Sequence, residues 1–140
     1  MNTGSIVSTP RLRLVAATVE IVEAELTSAE GFERALGASI PAGWPPALYD
    51  RAAAEYTLAR LRESPASADW WMWYALLAAD DDAGSALIGT VGFKGPPDND
   101  GIVEIGYGFL RQFQKQGYAT EAVGGLVSWA FARPDVAAVL

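Results

Sequence analysis

The sequence predicts an α+β fold in which helices pack on a mixed sheet, with the element order β-α-α-β-β-β-α-β. Apolar residues recur at helical spacing in segments 19–36, 48–63 and 117–132. Between these segments lie alternating or continuous apolar runs, which are typical of strands. The chain has 140 residues, of which 51% are hydrophobic and 19% are charged. It is therefore long and apolar enough to form one domain with a buried core.

One strand and two helical segments are predicted in the first half of the chain. Residues 11–15 alternate between polar and apolar side chains, as a half-buried strand does. Thr18 is a candidate N-cap for the helical segment that follows, and Gly37 is a candidate stop. A second helix is expected over 48–63, because apolar side chains recur there at every third or fourth position. Those side chains are Leu48, Ala52, Tyr56 and Ala59.

Three strands are predicted in succession in the second half of the chain. Residues 70–79 are dense in aromatic and apolar side chains, which is typical of a strand buried on both faces. Further strands are expected at 87–93 and 102–110. Turn segments rich in Asp and Gly separate them at 80–84 and 95–101. This order indicates an antiparallel meander.

A long amphipathic helix is predicted over 117–132, and Arg133-Pro134 ends it. Its apolar stripe consists of Ala119, Ala122, Val123, Leu126, Val127 and Ala130. The apolar segment 136–140 then indicates one more strand.

The composition excludes several classes of chemistry. The chain has 10 Lys+Arg against 17 Asp+Glu, a net charge of −7, so we expect no nucleic-acid partner and an attraction for cationic amines. It contains no Cys and no His, which removes disulfides, thiolate nucleophiles, histidine-based triads and Cys/His metal sites. We expect no metal. Acid–base chemistry falls to carboxylates, Tyr, Lys, water or backbone groups.

The sequence also bears on location. No apolar run approaches the roughly 20 residues that a membrane-spanning helix needs. Residues 1–10 lack the charged and apolar regions of a signal peptide. We therefore expect a cytoplasmic protein with no membrane partner.

A candidate anion site lies where the strand at 102–110 runs through a short polar loop into the helix at Gly117. The first N–H groups of a helix have no partner within it, and the helix dipole adds partial positive charge. Such an end can bind a phosphate or a pyrophosphate. Gly117 permits close approach to the backbone, and Lys115 could add a charged contact. Many junctions of this kind bind nothing, so a purely structural role is the alternative.

Several segments resemble the GNAT N-acetyltransferase superfamily, and within it the branch of the ribosomal-protein alanine acetyltransferases. Residues 114–119 match that family's acetyl-CoA loop, Arg/Gln-x-x-Gly-x-Gly/Ala. Residues 104–107 and 117–122 are similar to the branch's Glu-Ile-Gly-Tyr strand and to its usual helix opening. Residues 9–14 and 87–92 look like its first and third strands. The resemblance implies a mixed, mostly antiparallel sheet with helices on both faces, and a single N-acetyltransferase domain over residues 1–140.

The resemblance also implies how acetyl-CoA would bind. The loop amides and the first helical turn would hold the pyrophosphate. The pantetheine arm would pair with the backbone of the preceding strand, and an N–H near Leu110 would face the thioester oxygen. The cofactor-binding residues so implied are Phe109, Leu110, Arg111, Gln114, Lys115, Gln116, Gly117, Tyr118, Ala119 and Thr120.

The reaction implied is transfer of an acetyl group from acetyl-CoA to a primary amine by direct attack in a ternary complex. The amine would belong to a protein N-terminus or to a small molecule. Glu104 is the candidate catalytic residue, because it resembles the family's strand glutamate and could deprotonate the amine directly or through water. Its alternative role is that of an exposed strand residue. Trp44 or Tyr49 could line the amine cleft, or anchor a surface loop.

The resemblance has a limit at the C-terminal end. Family members continue with another helix and two more strands after the strand near Val136, so we interpret the fold as truncated after the start of its fifth strand. Such a strand would leave an unpaired edge. We therefore expect self-association, as a homodimer or an oligomer with exchanged elements.

Two other classes of function remain open. The chain could be an acyl-CoA-binding or catalytically silent member of the superfamily, or a purely structural partner domain. Binding of acetyl-CoA separates the last class from the others, and release of free thiol on addition of an amine separates the enzyme from the silent form.

Overall fold

The computed structural model describes residues 4–78 and 85–140 of the chain. Its strands are β1 (Ile6–Ser8), β2 (Leu12–Ala16), β3 (Ala38–Ser39), β4 (Met72–Leu77), β5 (Ser85–Phe93), β6 (Ile102–Val103), β7 (Ile105–Phe109) and β8 (Ala138–Val139). Its α-helices are α1 (Val19–Thr27), α2 (Ala29–Leu36), α3 (Arg51–Glu63) and α4 (Tyr118–Phe131). Short 3₁₀ helices lie at Pro65–Trp70 and Arg111–Phe113.

The main sheet is six-stranded and mostly antiparallel. Its order is β1-β2-β4-β5-β3, and β7 pairs with β5 beside β3. All of these pairings are antiparallel except that of β3 with β5. The chain therefore contains the predicted meander, as β4, β5 and β7. The short strands β1 and β3 were not predicted, and the predicted turn at 80–84 lies outside the described residues.

Side-chain caps divide the first helical segment in two, where the sequence predicted one continuous helix. Thr18 accepts a hydrogen bond from the N–H of Ile21 and begins α1, as predicted. Ser28 then accepts from the N–H of Gly31 and begins α2. Gly37, in the left-handed region at φ 73°, ends α2 as predicted. A serine favours a new cap over continuation of a helix, which is why the segment breaks there.

Helices cover both faces of the main sheet, which confirms the predicted layering. On one face, Ile21 of α1 and Leu61 of α3 belong to the same buried cluster as Tyr74 of β4. On the other face, Leu126 of α4 clusters with Trp73 of β4. Trp73 and Tyr74 are adjacent, so they point to opposite faces, and both are fully buried. This confirms that β4 is buried on both faces.

The helix α3 buries a different face from the one predicted. It begins after Asp50, whose side chain caps the N–H of Ala53, so Leu48 lies outside the helix. Leu48 is 84% exposed and Tyr56 is 56% exposed. The buried positions are instead Ala54, Thr57, Leu58 and Leu61. The prediction for this stripe was wrong because Leu58 and Leu61 define a helical face as well as the expected residues do, and only the packing partner selects between the two faces.

The segment after α4 has a pairing partner within the chain. β8 pairs in parallel with β6, and the N–H of Leu140 donates to the carbonyl of Val103 at 2.9 Å. The interpretation of a fold truncated at this strand is not borne out. The expectation of self-association rested on an unpaired strand, and this pairing removes that support. The oligomeric state stays a prediction, which sedimentation would test. Within the described ranges, no helix is both long and apolar enough to cross a membrane.

Candidate functional site

The first turn of α4 has open backbone amides. Gly117 is its N-cap, in the left-handed region at φ 83°, and no side chain caps the turn. The first helical hydrogen bond runs from the N–H of Glu121 to the carbonyl of Gly117 at 3.0 Å. The N–H groups of residues 118–120 therefore have no partner inside the helix. The structure thus has the open helix start that the sequence predicted, with the positive end of the helix dipole behind it.

The loop before α4 holds a second backbone feature. Lys115 has φ 62°, which is uncommon for a residue with a side chain. Such a conformation costs roughly 1–3 kcal/mol and is concentrated at functional sites. The side-chain amide of Gln114 donates to the carbonyl of Phe109 at 2.9 Å and ties the loop to β7. The Lys115 side chain is exposed, and in the described parts of the chain no carboxylate pairs with it.

Arg11, which the sequence did not single out, supports this loop from the other side. Its Nη1 donates to the carbonyl of Gln116 at 3.0 Å, and its Nε donates to Glu121 Oε1 at 2.7 Å. Its guanidinium carbon lies 4.4 Å from the centre of the Tyr118 ring. One side chain from the start of β2 thus contacts the loop and the first turn of α4. Nothing local in the sequence indicates these contacts, because they depend on the sheet pairing.

Glu121 is held by the same cluster. Its Oε2 accepts from Thr9 Oγ1 at 2.5 Å and from the Arg11 N–H at 2.7 Å. Burial would raise the pKa of Glu121, but the hydrogen bonds from Thr9 and Arg11, with the charge of Arg11, outweigh it and lower the pKa. Since these partners occupy the carboxylate, it does not cap the open amides of its own helix.

Strand β7 pairs through one edge only with the main sheet, and the register shows which residues face the other edge. The N–H of Leu110 donates to the carbonyl of Ile88 at 2.9 Å, and Gly108 is the Cα partner of Thr90. Because hydrogen-bonding direction alternates along an antiparallel strand, Tyr107 and Phe109 direct their backbone groups to the opposite edge. The Leu110 N–H, which we expected to face a thioester oxygen, is therefore already bound within the sheet.

A cavity of about 490 Å³ lies between this edge, the loop and the start of α4. This volume falls within the range of small-molecule sites. Six of the predicted cofactor-binding residues line it: Phe109, Gln114, Lys115, Gly117, Ala119 and Thr120. The other four, which are Leu110, Arg111, Gln116 and Tyr118, do not. The sequence did not predict the remaining lining residues, which are Pro46, Ala47, Leu48, Tyr107, Gly108 and Phe113.

A second cavity of about 390 Å³ adjoins the first. The two share Leu48, Tyr107 and Gly108. The second cavity is largely apolar, and the buried hydroxyl residue Thr90 contributes to its lining. Tyr49, one of the two aromatic residues expected near an amine cleft, also lines it.

Comparison with known proteins decides the family. The model of the acetyltransferase (GNAT) domain matches residues 11–140. The chain belongs to the GNAT acetyltransferase domain family. A curated relative, the uncharacterized N-acetyltransferase YjdG of Bacillus subtilis (strain 168), is 36% identical over 53 residues. That match spans 38% of this GNAT chain and 32% of the relative.

Solved structures share the GNAT fold at low sequence identity. A putative ribosomal-protein-serine acetyltransferase from Vibrio cholerae has a TM-score of 0.59 at 19% identity, over 97% of this chain and 72% of that one. RimL, a ribosomal L7/L12 alpha-N-protein acetyltransferase, has a TM-score of 0.55 at 17% identity, over 97% and 69%. The microcin C7 self-immunity acetyltransferase MccE, solved with acetyl-CoA and AMP, has a TM-score of 0.53 at 14% identity, over 91% and 66%. The predicted mixed α+β GNAT fold is confirmed.

In this GNAT domain, Glu104 lies between β6 and β7. Its Oε2 is 2.5 Å from the Nζ of Lys94, and its side chain is 53% exposed. Glu104 does not line either of the two cavities, although Lys94 lines the second. Its catalytic role stays a prediction.

Proposed function

We propose that this GNAT domain transfers an acetyl group from acetyl-CoA to a primary amine by direct attack in a ternary complex. One observation carries the proposal. The open helix start at Gly117 and the outward edge of β7 at Phe109 line the same cavity of about 490 Å³. A diphosphate suits the first feature and an extended amide chain suits the second.

The diphosphate would bind at the loop and the first turn of α4. The amides there donate to its oxygens, and Lys115 adds a charge. Gly117 fits this role, since a Cβ built there would lie 3.2 Å from Arg11 Nη2, on a backbone that side chains rarely adopt. We assign the diphosphate to Gln114, Lys115, Gln116, Gly117, Tyr118, Ala119 and Thr120. Gln116 and Tyr118 would act through their backbone N–H groups, because the side-chain amide of Gln116 donates to the carbonyl of Gln112 and the ring of Tyr118 packs under Arg11.

The pantetheine arm would add to the outward edge of β7, where the Gln114 side chain already occupies the carbonyl of Phe109. We assign this pairing to the backbone of Tyr107 and Phe109, with Leu110 and Arg111 at the end of the strand, because the register of β7 on β5 supports an outward direction for the first two. The N–H of Phe109 replaces that of Leu110 as the donor to the oxyanion. A preformed N–H in such a place stabilises charge that develops in the transition state.

The acceptor would enter through the second cavity and meet the thioester where the two cavities share Leu48, Tyr107 and Gly108. The amine nitrogen bonds to the acyl carbon to give a tetrahedral oxyanion, the carbon–sulfur bond breaks as the carbonyl re-forms, and the departing CoA thiolate takes up, through water, the proton that the nitrogen releases. The amine must lose a proton, and its ordinary pKa is about 8 for an α-amine and about 10.4 for a lysine-type amine. Glu104 would accept that proton through water when its ion pair with Lys94 opens.

The acceptor class is a protein N-terminus or a small-molecule amine. Ribosomal-protein acetyltransferases are among the structural neighbours, and so is MccE, whose structure contains AMP. The net charge of −7 would attract either kind of amine at low ionic strength.

One observation favours a second candidate, a domain that binds acetyl-CoA without catalysis. Glu104 is paired with Lys94 and lies outside both cavities. A silent domain would keep the diphosphate site and lack a base.

Two measurements test the proposal. Acetyl-CoA is first titrated into the protein by calorimetry. Free thiol is then followed with acetyl-CoA and each of three amines: a peptide beginning with Ser, a peptide beginning with Ala, and phenethylamine. Binding with thiol release above the rate without amine supports the enzyme. Binding without release from any amine supports the silent form, and no binding at millimolar acetyl-CoA overturns both.

A further inference from the structure

A carboxylate on α1 accepts hydrogen bonds from three aromatic side chains. Glu25 Oε1 accepts from Tyr49 Oη at 2.8 Å and from Tyr74 Oη at 2.7 Å. Glu25 Oε2 accepts from Trp44 Nε1 at 3.0 Å. No Lys or Arg forms an ion pair with Glu25 among the residues described. The carboxylate therefore acts here as an acceptor for neutral donors, and the three donors fix its orientation.

The two phenols remain donors over the whole ordinary pH range. Tyr74 is fully buried and Tyr49 is 6% exposed. Burial raises the pKa of both hydroxyls well above the usual value, and the charge of Glu25 raises it further. Both phenols therefore keep their protons, and can donate to the carboxylate, near neutral pH.

Two of the three donors delimit a segment that forms a wall of the proposed active site. We call residues 44–49 the strap. Trp44 and Tyr49 are its ends, and the residues between them include Pro46, Ala47 and Leu48, which line the cavity of about 490 Å³. Leu48 also lines the second cavity.

The third donor connects the strap to the centre of the sheet. Tyr74 lies on β4, which pairs with β2 and β5 and is buried on both faces. Glu25 thus joins both ends of the strap to a rigid strand through one carboxylate. Ring contacts support the same geometry, since the centroid of Trp44 lies 6.1 Å from that of Tyr49.

We infer that Glu25 is a positioning residue, whose carboxylate fixes the strap and thereby sets the opening through which the acceptor amine reaches the thioester. This inference rests on the proposed function. Glu25 touches neither cavity that we assign to acetyl-CoA and the acceptor. It acts through Trp44 and Tyr49, and the residue it places at the junction of the two cavities is Leu48.

The test compares Glu25→Gln with Glu23→Gln. Glutamine keeps the shape of Glu25 but presents an NH₂ group where one of the donors now binds. Glu23 lies on the same helix and forms only an exposed ion pair with Arg62 on α3. Hydrogen exchange of the strap is measured by mass spectrometry, the acetyl-CoA Kd by calorimetry, and KM and kcat with the Ser peptide, or with whichever of the three amines reacts fastest.

In Glu25→Gln we expect exchange in the strap to rise at least tenfold and KM for the amine to rise about fivefold to tenfold. The acetyl-CoA Kd should change less than KM does, and kcat less than twofold, because the strap is only one wall of the cavity of about 490 Å³ and the diphosphate site and the β7 edge are untouched. Glu23→Gln should leave all four quantities within twofold. If Glu25→Gln only lowers the stability of the protein, so that exchange rises no more in the strap than in β4 and KM is unchanged, the inference is overturned.

A second variant covers the case in which Glu25→Gln does not fold. Trp44→Phe removes one donor and keeps an aromatic ring, and it should produce a smaller change of the same kind. If none of the three amines is acetylated, the proposed enzymatic function fails, and the exchange measurement still decides whether Glu25 holds the strap. Unchanged exchange in both variants would contradict the inference whatever the activity.

Discussion

Arg11 Nε lies 2.7 Å from Glu121 Oε1, although 110 positions separate the two residues in the chain. The same guanidinium bonds to the carbonyl of Gln116 and lies over the ring of Tyr118. The start of β2 is therefore joined to the start of α4 across the loop that we assign to the diphosphate. A loop held in place before binding loses less entropy when it binds, which favours affinity.

Replacing Arg11 should weaken acetyl-CoA binding. Arg11→Ala removes the contacts to Gln116, Tyr118 and Glu121, and we expect the Kd to rise about tenfold, equivalent to about 1.4 kcal/mol. Calorimetry measures the change. Arg34→Ala, an exposed arginine in the last turn of α2, is the control and should leave the Kd unchanged. A Kd within twofold of wild type in Arg11→Ala would contradict this role.

Glu121 should make stability depend on pH in the acid range. Its pKa is lowered in the folded state, so its contribution is present above the ordinary value of 4.5 and is lost as pH falls through the lower folded value. Urea unfolding should show Glu121→Gln to be less stable than wild type by about 1–2 kcal/mol at pH 7. That difference should shrink progressively below about pH 4.5. A difference that stays constant down to pH 3 would exclude the assignment.

Gly117 and Gly124 provide a matched pair on α4. Gly117→Val puts a β-branched residue at φ 83°, next to Arg11 Nη2, and should abolish the thermal shift produced by acetyl-CoA. A Cβ at Gly124 would meet nothing within 4 Å. Gly124→Ala should keep the shift and raise stability by up to about 1 kcal/mol. An undiminished thermal shift in Gly117→Val would show that the diphosphate does not bind at this turn.

Gly89 on β5 leaves room for Phe109. A Cβ there would lie 2.5 Å from Phe109 Cδ2 and 2.7 Å from the carbonyl oxygen of Gly108. Gly89→Ala should therefore displace the edge of β7, lower stability by about 1–3 kcal/mol and weaken acetyl-CoA binding. Gly106→Ala is the control, since a Cβ there meets nothing within 4 Å. Equal melting temperatures for the two variants would argue against this packing.

Glu104 is tested by the difference between binding and turnover. If it relays the proton through water, Glu104→Gln should lower kcat at least tenfold and leave the acetyl-CoA Kd within twofold. Lys94→Met removes the ion-pair partner and should not lower kcat at saturating amine, because it frees the same carboxylate; KM is measured separately, since Lys94 also lines the second cavity. Equal turnover in wild type and Glu104→Gln would show that Glu104 has no catalytic role and is an exposed residue between β6 and β7.

Local sequence patterns predicted those elements that are determined by residues close to them in the chain. The apolar stripe of α4 and the stop at Gly37 follow from helical periodicity and from a left-handed glycine. The burial of β4 on both faces follows from its aromatic run. Such features need no knowledge of distant residues.

The features that the sequence did not predict depend on contacts between distant segments. The buried face of α3 is selected by the helices and strands beside it, because the apolar spacing fits two faces. The choice of Phe109 over Leu110 as the outward N–H follows from the pairing of β7 with β5. Arg11 and the strap join the site only through folding: the resemblance to the GNAT superfamily places Arg11 in a strand and Trp44 and Tyr49 beside the amine cleft, but it does not indicate their contacts with Gln116 and Glu25.

The anchoring of the strap at its two ends suggests how acceptor selectivity could be reprogrammed. Trp44 and Tyr49 bear the hydrogen bonds to Glu25, whereas Leu48 between them is 84% exposed. Substitutions at Leu48, where the two cavities meet, can therefore change the size and polarity of the amine entrance while the loop and the first turn of α4, to which we assign the diphosphate, stay intact. This arrangement makes the short segment a natural place to begin directed evolution toward new amines.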